Sequence, residues 1–540
     1  MTDLSCEYTK RLNEIADEIK ESYTLFVDGC SKKYGDSLYF WASPFSARNT
    51  YNDGTYVQIC RTILAKEAVR DGLADTVIAG TEGEYETLKK LLKGQAEVRL
   101  GAKREDTGRI KRTFGRWRHF LEYSARQAAY RRYAPEKYVY PSSFSIVVGP
   151  AISTDFDGHV FNDRYTTGIN GYHEALFLPY IVNPRKIKNK TLFENIRNCS
   201  THRFIYDRDL VRLSDVLDII RYWKYIDRIK KDAFFYEGID VSAIVCQNLE
   251  AGKSNSPAFD GIMMEKMLSR LAGKGVGIRN IIQWYEGRSF DVCTASAARK
   301  YFPDASSVGY EGYPLTETIL GGCVSAEQHR TDHAPAKMAI AGRAFEPQAH
   351  QFCPDVKLLY VPILRNDYVL RKKGKKDNEL PVTVLVLLSY SHEVSLMLLK
   401  GVAGFARQNR RCRIIIKNHP TNEGFTLASY GFREELDVAY VSGRLSDCLE
   451  DVDAVVSSLT ISTVEVAFAG ISQIVMYPPG QLGYTCLPES IRDKLCTVVY
   501  SPEEITKKLP ECLKEPVDNS VLADLLIEKT PENVCRLFER

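Results

Sequence analysis

From residue 381 to 501 the chain alternates short, continuous apolar runs with helical patterns. The runs are "PVTVLVLLSYS" (381–391), "CRIIIKNHP" (412–420), "DVAYVSG" (437–443), "AVVSSLT" (454–460), "SQIVMYPP" (472–479) and "CTVVYS" (496–501). Between them lie "EVSLMLLKGVAGFARQN" (393–409), "RLSDCLEDV" (444–452) and "STVEVAFAG" (462–470). A strand that is apolar at every position has no face for water, so helices must cover both sides of its sheet. That restricts the region to a parallel, doubly wound α/β layer.

The first part of the chain carries similar units. "SLYFWASPFSARN" (37–49) reads as a strand with a polar end, and "DTVIAGTEGEYETLKKLLKG" (75–94) as strand, turn and helix. "IRNIIQWYEGRSFDVCTASAARKYF" (278–302) repeats the pattern before the strand "ASSVGYEGYP" (305–314). At 540 residues one core is not enough. We expect two Rossmann-like domains facing a cleft: residues 1–370, with a mostly helical insertion over about 103–235, and residues 371–505, followed by a helical tail over 506–540. The charged stretch "RKKGKKDNELP" (371–381) reads as the linker between them. The amino terminus is charged and helical in pattern, unlike a signal peptide, and no apolar run approaches the ~20 residues that span a bilayer. Fourteen cysteines without a CxxC pair suggest free thiols in a reducing cytoplasm.

In an open parallel sheet, ligands bind beyond the carboxyl ends of the strands. Three such ends carry phosphate-binding chemistry. One holds Ser389, Ser391 and His392; the second holds Lys417, Asn418, His419 and Pro420; the third holds Ser457, Ser458 and Thr460, with Ser462 and Thr463 opening a helix. Of nine histidines only His392 and His419 follow residue 350, and both stand at these ends. Hydroxyls and N–H groups suit phosphate oxygens, and a donating or protonated His419 would neutralise charge on a departing phosphate. No GxGxxG follows a strand and no GxxxxGK[ST] occurs, which argues against dinucleotide and P-loop chemistry.

"KNHP" followed some forty residues later by "SSLTISTVEVAFAG" resembles the donor-binding domain of GT-B glycosyltransferases. The likeness is to bacterial enzymes that use CMP-activated acidic sugars: sialyl-, polysialyl- and Kdo transferases of capsule and lipopolysaccharide synthesis. The resemblance implies that His419-Pro420 and Ser457-Ser458 hold the CMP phosphate, with Lys417 as an accompanying cation. "FYEGIDVSAIV" (235–245), "IIQWYEGRSFD" (281–291), "SSVGYEGYP" (306–314) and "LLYVPILRNDYVL" (358–370) are similar to the first domain of a surface-carbohydrate biosynthesis family, although Glu311 stands where that family has His after Gly-Tyr. The implied substrates are a CMP-activated Kdo, sialic or other nonulosonic acid and a glycan or glycolipid acceptor, with no cofactor and no metal.

An inverting transfer needs a carboxylate to take the acceptor proton. Glu286, which ends an apolar strand before Gly287, is the first candidate, and Asp291 and Glu311 are acceptor-side candidates. Asp451-Val452-Asp453 falls at the amino end of a strand and Asp155-Phe156-Asp157 in the insertion, and both read as turns rather than metal sites. Residues 103–137 interleave eleven Lys/Arg with Phe114, Trp117, Phe120, Tyr123 and Tyr130. Such a helix either packs its aromatics inward or lies on the cytoplasmic face of the inner membrane. No nucleic-acid motif accompanies it. Two alternatives stay open: a UDP- or GDP-sugar or CDP-glycerol transferase of the same fold, and a non-catalytic polysaccharide-assembly protein.

Overall fold

The computed structural model describes residues 6–101, 109–163, 166, 175–183, 187–314, 316–365, 381–409, 411–434, 436–514, 517 and 519–539. The C-terminal sheet has six parallel strands in the order Val438–Val441, Cys412–Lys417, Val382–Leu387, Ala454–Ser457, Ser472–Met476 and Thr497–Val499. The chain starts at the centre, builds to one edge, returns and builds to the other. Its reversal falls between Val382–Leu387 and Ala454–Ser457. Val384, Val386, Ile414, Ile416 and Val456 pack under one helical layer, while Leu385, Ile415 and Val455 pack under Leu445, Leu449 and Val466 on the other face. Burial on both faces is why these strands read as unbroken apolar runs.

The N-terminal sheet is also six-stranded and parallel, in the order Lys357–Tyr360, Lys337–Ile340, Ser306–Tyr310, Gly277–Trp284, Ser143–Ile152 and Ala175–Val182. Its reversal lies between Ser143–Ile152 and Gly277–Trp284. Two Rossmann-like domains are therefore present.

Several details differ from the sequence reading. Residues 37–49 form two short helices, Leu38–Trp41 and Pro44–Ala47, because Ser37 and Ser43 accept N-terminal amide protons and Pro44 sits at the first helical position. Segment 103–235 contains the long helix Arg109–Tyr133 but also supplies two strands of the first sheet. The Gly-Pro inside "SFSIVVGPAI" disguised the first of them. The pair Thr76–Ala79 and Glu97–Leu100 forms a separate two-stranded sheet. "RLSDCLEDV" shrinks to one 3-10 turn, Leu445–Cys448. Of the expected linker, 371–380 lies outside the described residues.

Three segments tie the halves together. The Glu317 carboxylate, from the first domain, accepts from the Thr485 amide and hydroxyl, both at 3.1 Å, and from Arg492 at 3.3 Å. The first helix, Cys6–Tyr34, reaches across through Thr9 to the Gly480 amide at 3.2 Å, Asn13 to the Gly483 amide at 2.7 Å and Lys20 to Glu489 at 2.7 Å. The tail returns to the first domain, where the Ile527 amide donates to Ala341 at 2.8 Å and Leu537 and Phe538 enter its core.

Burial pushes the Glu317 carboxyl up to about 7. Folding holds a proton on it above the ordinary 4.5, so its stabilisation is complete below that pH and is lost as pH rises through about 7. Urea unfolding between about pH 5 and pH 8 should show this decline, and Glu317→Gln, which carries no titrating proton, should flatten it.

Candidate functional site

The strand Cys412–Lys417 stops at Lys417, and Pro420 opens a single 3-10 turn, Pro420–Asn422, with His419 as its N-cap. Nδ1 of His419 accepts from the Thr421 amide at 3.2 Å and lies 2.8 Å from its hydroxyl. An accepting Nδ1 requires the Nε2–H tautomer, so the neutral ring presents a donor away from its own turn. Partial burial lowers the pKa of His419, which favours that neutral form. Asn418, by contrast, is occupied on both sides: it donates to Phe425 at 2.8 Å and accepts from Tyr430 at 3.0 Å. Lys417 donates to the Gly443 carbonyl at 2.6 Å.

At the reversal of the C-terminal sheet, Ser391 caps the 17-residue helix His392–Gln408. Ser389 accepts from the Ser391 amide at 3.2 Å, shaping the turn that leads into it. His392 is the first helical residue and packs on Phe425 and Tyr430. Across the reversal, Ser458 donates to the Met476 carbonyl at 2.8 Å and ties two strands together. The buried Ser457 hydroxyl has no hydrogen-bond partner among the described residues. Thr460 accepts from the Ser462 amide at 3.2 Å, while the Thr463 hydroxyl donates to Thr460 and accepts from the Cys486 amide, both at 3.3 Å. Ile461, not a hydroxyl residue, occupies the N-cap of the seven-residue helix Ser462–Phe468. The expected strand-end residues thus share one edge, but Asn418, Ser458 and Thr463 are committed to the fold.

The first domain presents its own strand end. Glu286 follows Gly277–Trp284, with Oε1 accepting from the Trp284 indole at 2.8 Å and Oε2 lying 3.2 Å from Arg288. Its backbone is held by Asp291, which accepts from the Glu286 amide at 2.9 Å, and by Asn49, which donates to the Glu286 carbonyl at 2.9 Å. Asp291 is fully buried and accepts further bonds from the Arg288 amide and guanidinium, so it positions this turn and has no open oxygen for a substrate. Glu311 follows Ser306–Tyr310 and is 4% exposed. Burial, with no compensating charge among the described residues, pushes its carboxyl well above the usual range, which leaves it a neutral acid.

Two elements connect the halves of the site. Tyr51, on the first domain, hydrogen-bonds Tyr484 at 2.8 Å and lies within electrostatic reach of both Glu286 and Tyr390. Tyr390 in turn meets the His419 ring edge-on at 6.0 Å. Tyr51 and Tyr390 thus place aromatic rings on the two sides of the site. Burial raises the Glu465 carboxyl, an effect that Arg365 of the other domain and Lys417 of its own oppose only in part. Sequence reasoning passed over Tyr51 and Glu465, and placed Tyr390 at its strand end without giving it a role. Of the first two, only Glu465 left a trace, since Ser462-x-x-Glu465 looks like a helix cap.

Beside Arg288 opens a cavity of about 780 Å³ lined by Tyr123, Arg126, Tyr180, Asp260, Arg288 and Phe290. Asp260 Oδ1 accepts from Tyr123 at 3.0 Å and Arg126 at 2.8 Å. The helix Arg109–Tyr133 forms one wall. It buries Phe120, Tyr123 and Tyr130 and exposes Phe114, Trp117 and Leu121 on another face. Of the Asp-x-Asp strings, Asp453 accepts from the Thr383 amide at 2.8 Å at the amino end of the sheet, and Asp155 is buried while Asp157 is exposed.

No protein-family model matches the chain, and no curated protein does. Solved structures with a similar arrangement include the glycotransferase of kitacinnamycin (11% identity, 74% of this chain and 94% of that one, TM-score 0.34). A glycosyltransferase from Rickettsia africae ESF-5 is another (8%, 73% and 96%, 0.38). A third is the Methanocaldococcus jannaschii UDP-GlcNAc 2-epimerase in complex with UDP-GlcNAc and UDP (10%, 70% and 96%, 0.33).

Gly287 sets the position of Glu286. Its φ is +65°, and a Cβ there would lie 1.8 Å from the Gly321 carbonyl oxygen. Gly287→Ala should therefore cost at least about 2 kcal/mol in denaturant unfolding, since backbone on both sides must move.

Proposed function

We propose that the protein is a glycosyltransferase that moves an acidic sugar from a CMP-activated donor to a glycan or glycolipid acceptor. The observation that supports this is that the strand ends beside each sheet's reversal point carry polar groups, Glu286 in one domain and His419 with the Ser391-capped helix in the other. Reversal points are where open α/β sheets bind nucleotides. The donor choice rests on the "KNHP" and "SS" resemblance and on chemistry suited to one phosphate: a neutral imidazole donor, a helix N-terminus and a nearby lysine, without a glycine-rich loop.

In this reading the acceptor occupies the cavity beside Arg288, and its hydroxyl oxygen attacks the anomeric carbon as the bond to the CMP phosphate breaks. Glu286 takes the hydroxyl proton. Trp284 and Arg288 hold its two oxygens in place, so the base needs no reorientation during the step. The electron pair leaves on the phosphate, towards the His419 Nε2–H and the free amides of helix His392–Gln408. The exposed Phe114, Trp117 and Leu121 lie on the helix that walls the cavity, which suits an acceptor presented from the cytoplasmic face of a membrane.

Calorimetry with CMP, CDP, UDP and GDP should show preference for CMP, weakened about ten-fold or more in His419→Ala. Preference for UDP or GDP would discard the donor class, and no binding would favour an assembly role. Glu286→Gln should retain CMP affinity while turnover of a CMP-sugar falls at least about 10²-fold. Unchanged turnover would remove Glu286 as the base.

A further inference from the structure

Away from the strand ends, the loop after helix Asn189–Arg197 brings a cysteine, a histidine and an aspartate together. The loop is clamped to the hairpin Phe156–Asp157/Val160–Phe161: the Ser200 amide donates to His159 at 2.9 Å, and Thr201 Oγ1 accepts from the Phe161 amide at 3.0 Å. His202 packs its ring against Phe161 and Phe177, with centroids at 4.9 and 5.8 Å. Its side chain is 7% exposed. Nε2 lies 3.5 Å from Asp163 Oδ2, while Nδ1 lies 3.0 Å from Thr201 Oγ1, itself 3.5 Å from Cys199 Sγ. Asp163 is held by the Thr166 amide at 2.9 Å and by the Thr166 hydroxyl.

These are a thiol, an imidazole and a carboxylate in spatial order, with the Thr201 hydroxyl between Cys199 and His202, and with His202 and Asp163 at ion-pair distance. Burial pushes the Cys199 thiol up, but hydrogen bonds with His202 and Thr201 outweigh it and bring the group to about 7. Burial likewise opposes the His202 cation, and Asp163 and Cys199 outweigh it. Cys60 and Cys293 show the contrasting case, a burial-driven rise without such partners. Above Cys199 lies a cavity of about 420 Å³ with Phe204 in its wall and Lys137, Arg197 and Arg203 among its lining residues. All three cations are exposed, and Arg203 is steadied by a bond to the Val139 carbonyl at 2.7 Å. An apolar wall with a cationic rim suits a small organic anion.

We propose that Cys199 is a thiol-exchange site, with His202 and Asp163 as its positioning groups, and that the cavity takes small anionic disulfides. The Cys199 thiolate attacks one sulfur of the disulfide, a new S–S bond forms to Cys199, and the old one breaks. The electron pair leaves on the second sulfur as a thiolate, which takes its proton from the His202 imidazolium. The protein thiol is oxidised and half of the disulfide is reduced. A second thiol of the same class reverses the step.

The test is brief exposure of the intact protein at pH 7 to 5,5′-dithiobis(2-nitrobenzoate), an anionic disulfide, and separately to neutral bis(2-hydroxyethyl) disulfide. Adducts are mapped to each cysteine by mass spectrometry. Cys199 should react at least about ten-fold faster than Cys412 and Cys448, which are also partly exposed. The anionic reagent should be favoured, His202→Gln should slow the reaction about ten-fold or more, and Arg203→Glu should erase the preference for the anion. A Cys199 rate in the wild type no higher than that of Cys412, a comparison that needs no variant, would overturn the proposal. So would an unchanged rate in folded His202→Gln, and equal rates for the two reagents would overturn the ligand class.

Discussion

The arrangement depends on one buried carboxylate at the domain junction. Glu317 is 7% exposed and engages both the Thr485 amide and hydroxyl and the Arg492 guanidinium of the other half. A polar group withdrawn from water is costly unless its partners are in place, so this contact admits little slack. It fixes the segment after Ser306–Tyr310 against the loop after Ser472–Met476, and so turns the carboxyl ends of both sheets towards each other. The first helix and the returning tail reinforce that alignment from either side.

Given that alignment, the site follows from parallel topology. All strands of a parallel sheet end on one side, and the reversal in strand order leaves a crevice there. Each crevice is lined by a turn that the chain holds tightly. On one side Gly287 against Gly321, with Asp291 gathering three donors from the turn, fixes where Glu286 stands. On the other, Thr421 sets the His419 ring and so decides which nitrogen carries the proton. Tyr51 reaches the other domain through Tyr484, and Tyr390 packs on the His419 ring.

Much of this could be read from residues alone. The C-terminal strands were legible because burial on both faces leaves unbroken apolar runs such as "CRIIIK". The strand Ser143–Ile152 was missed because its Gly-Pro resembles a turn, and 37–49 was misread because an apolar run of that length suits helix and strand alike. Glu286 was visible through the strand before it and the glycine after it. The roles of Asn418, Ser458 and Asp291 were not, because a polar side chain at a strand end looks the same whether it faces a ligand or secures a turn. The Cys199, His202 and Asp163 cluster brings Asp163 to two residues 36 or more positions away through a hairpin that no periodicity announces.

By itself, then, the sequence determined the doubly wound parallel class of the C-terminal half and the polar chemistry at its strand ends. Hydrophobic periodicity and turn residues are local properties, written in consecutive positions. Which strand ends face one another, which of their side chains remain open, and which carboxyl is neutral were decided only by the tertiary structure. Those depend on burial and on partners distant in the chain, as Glu317 with Thr485 and Arg492, or the deeply buried Glu311, make plain.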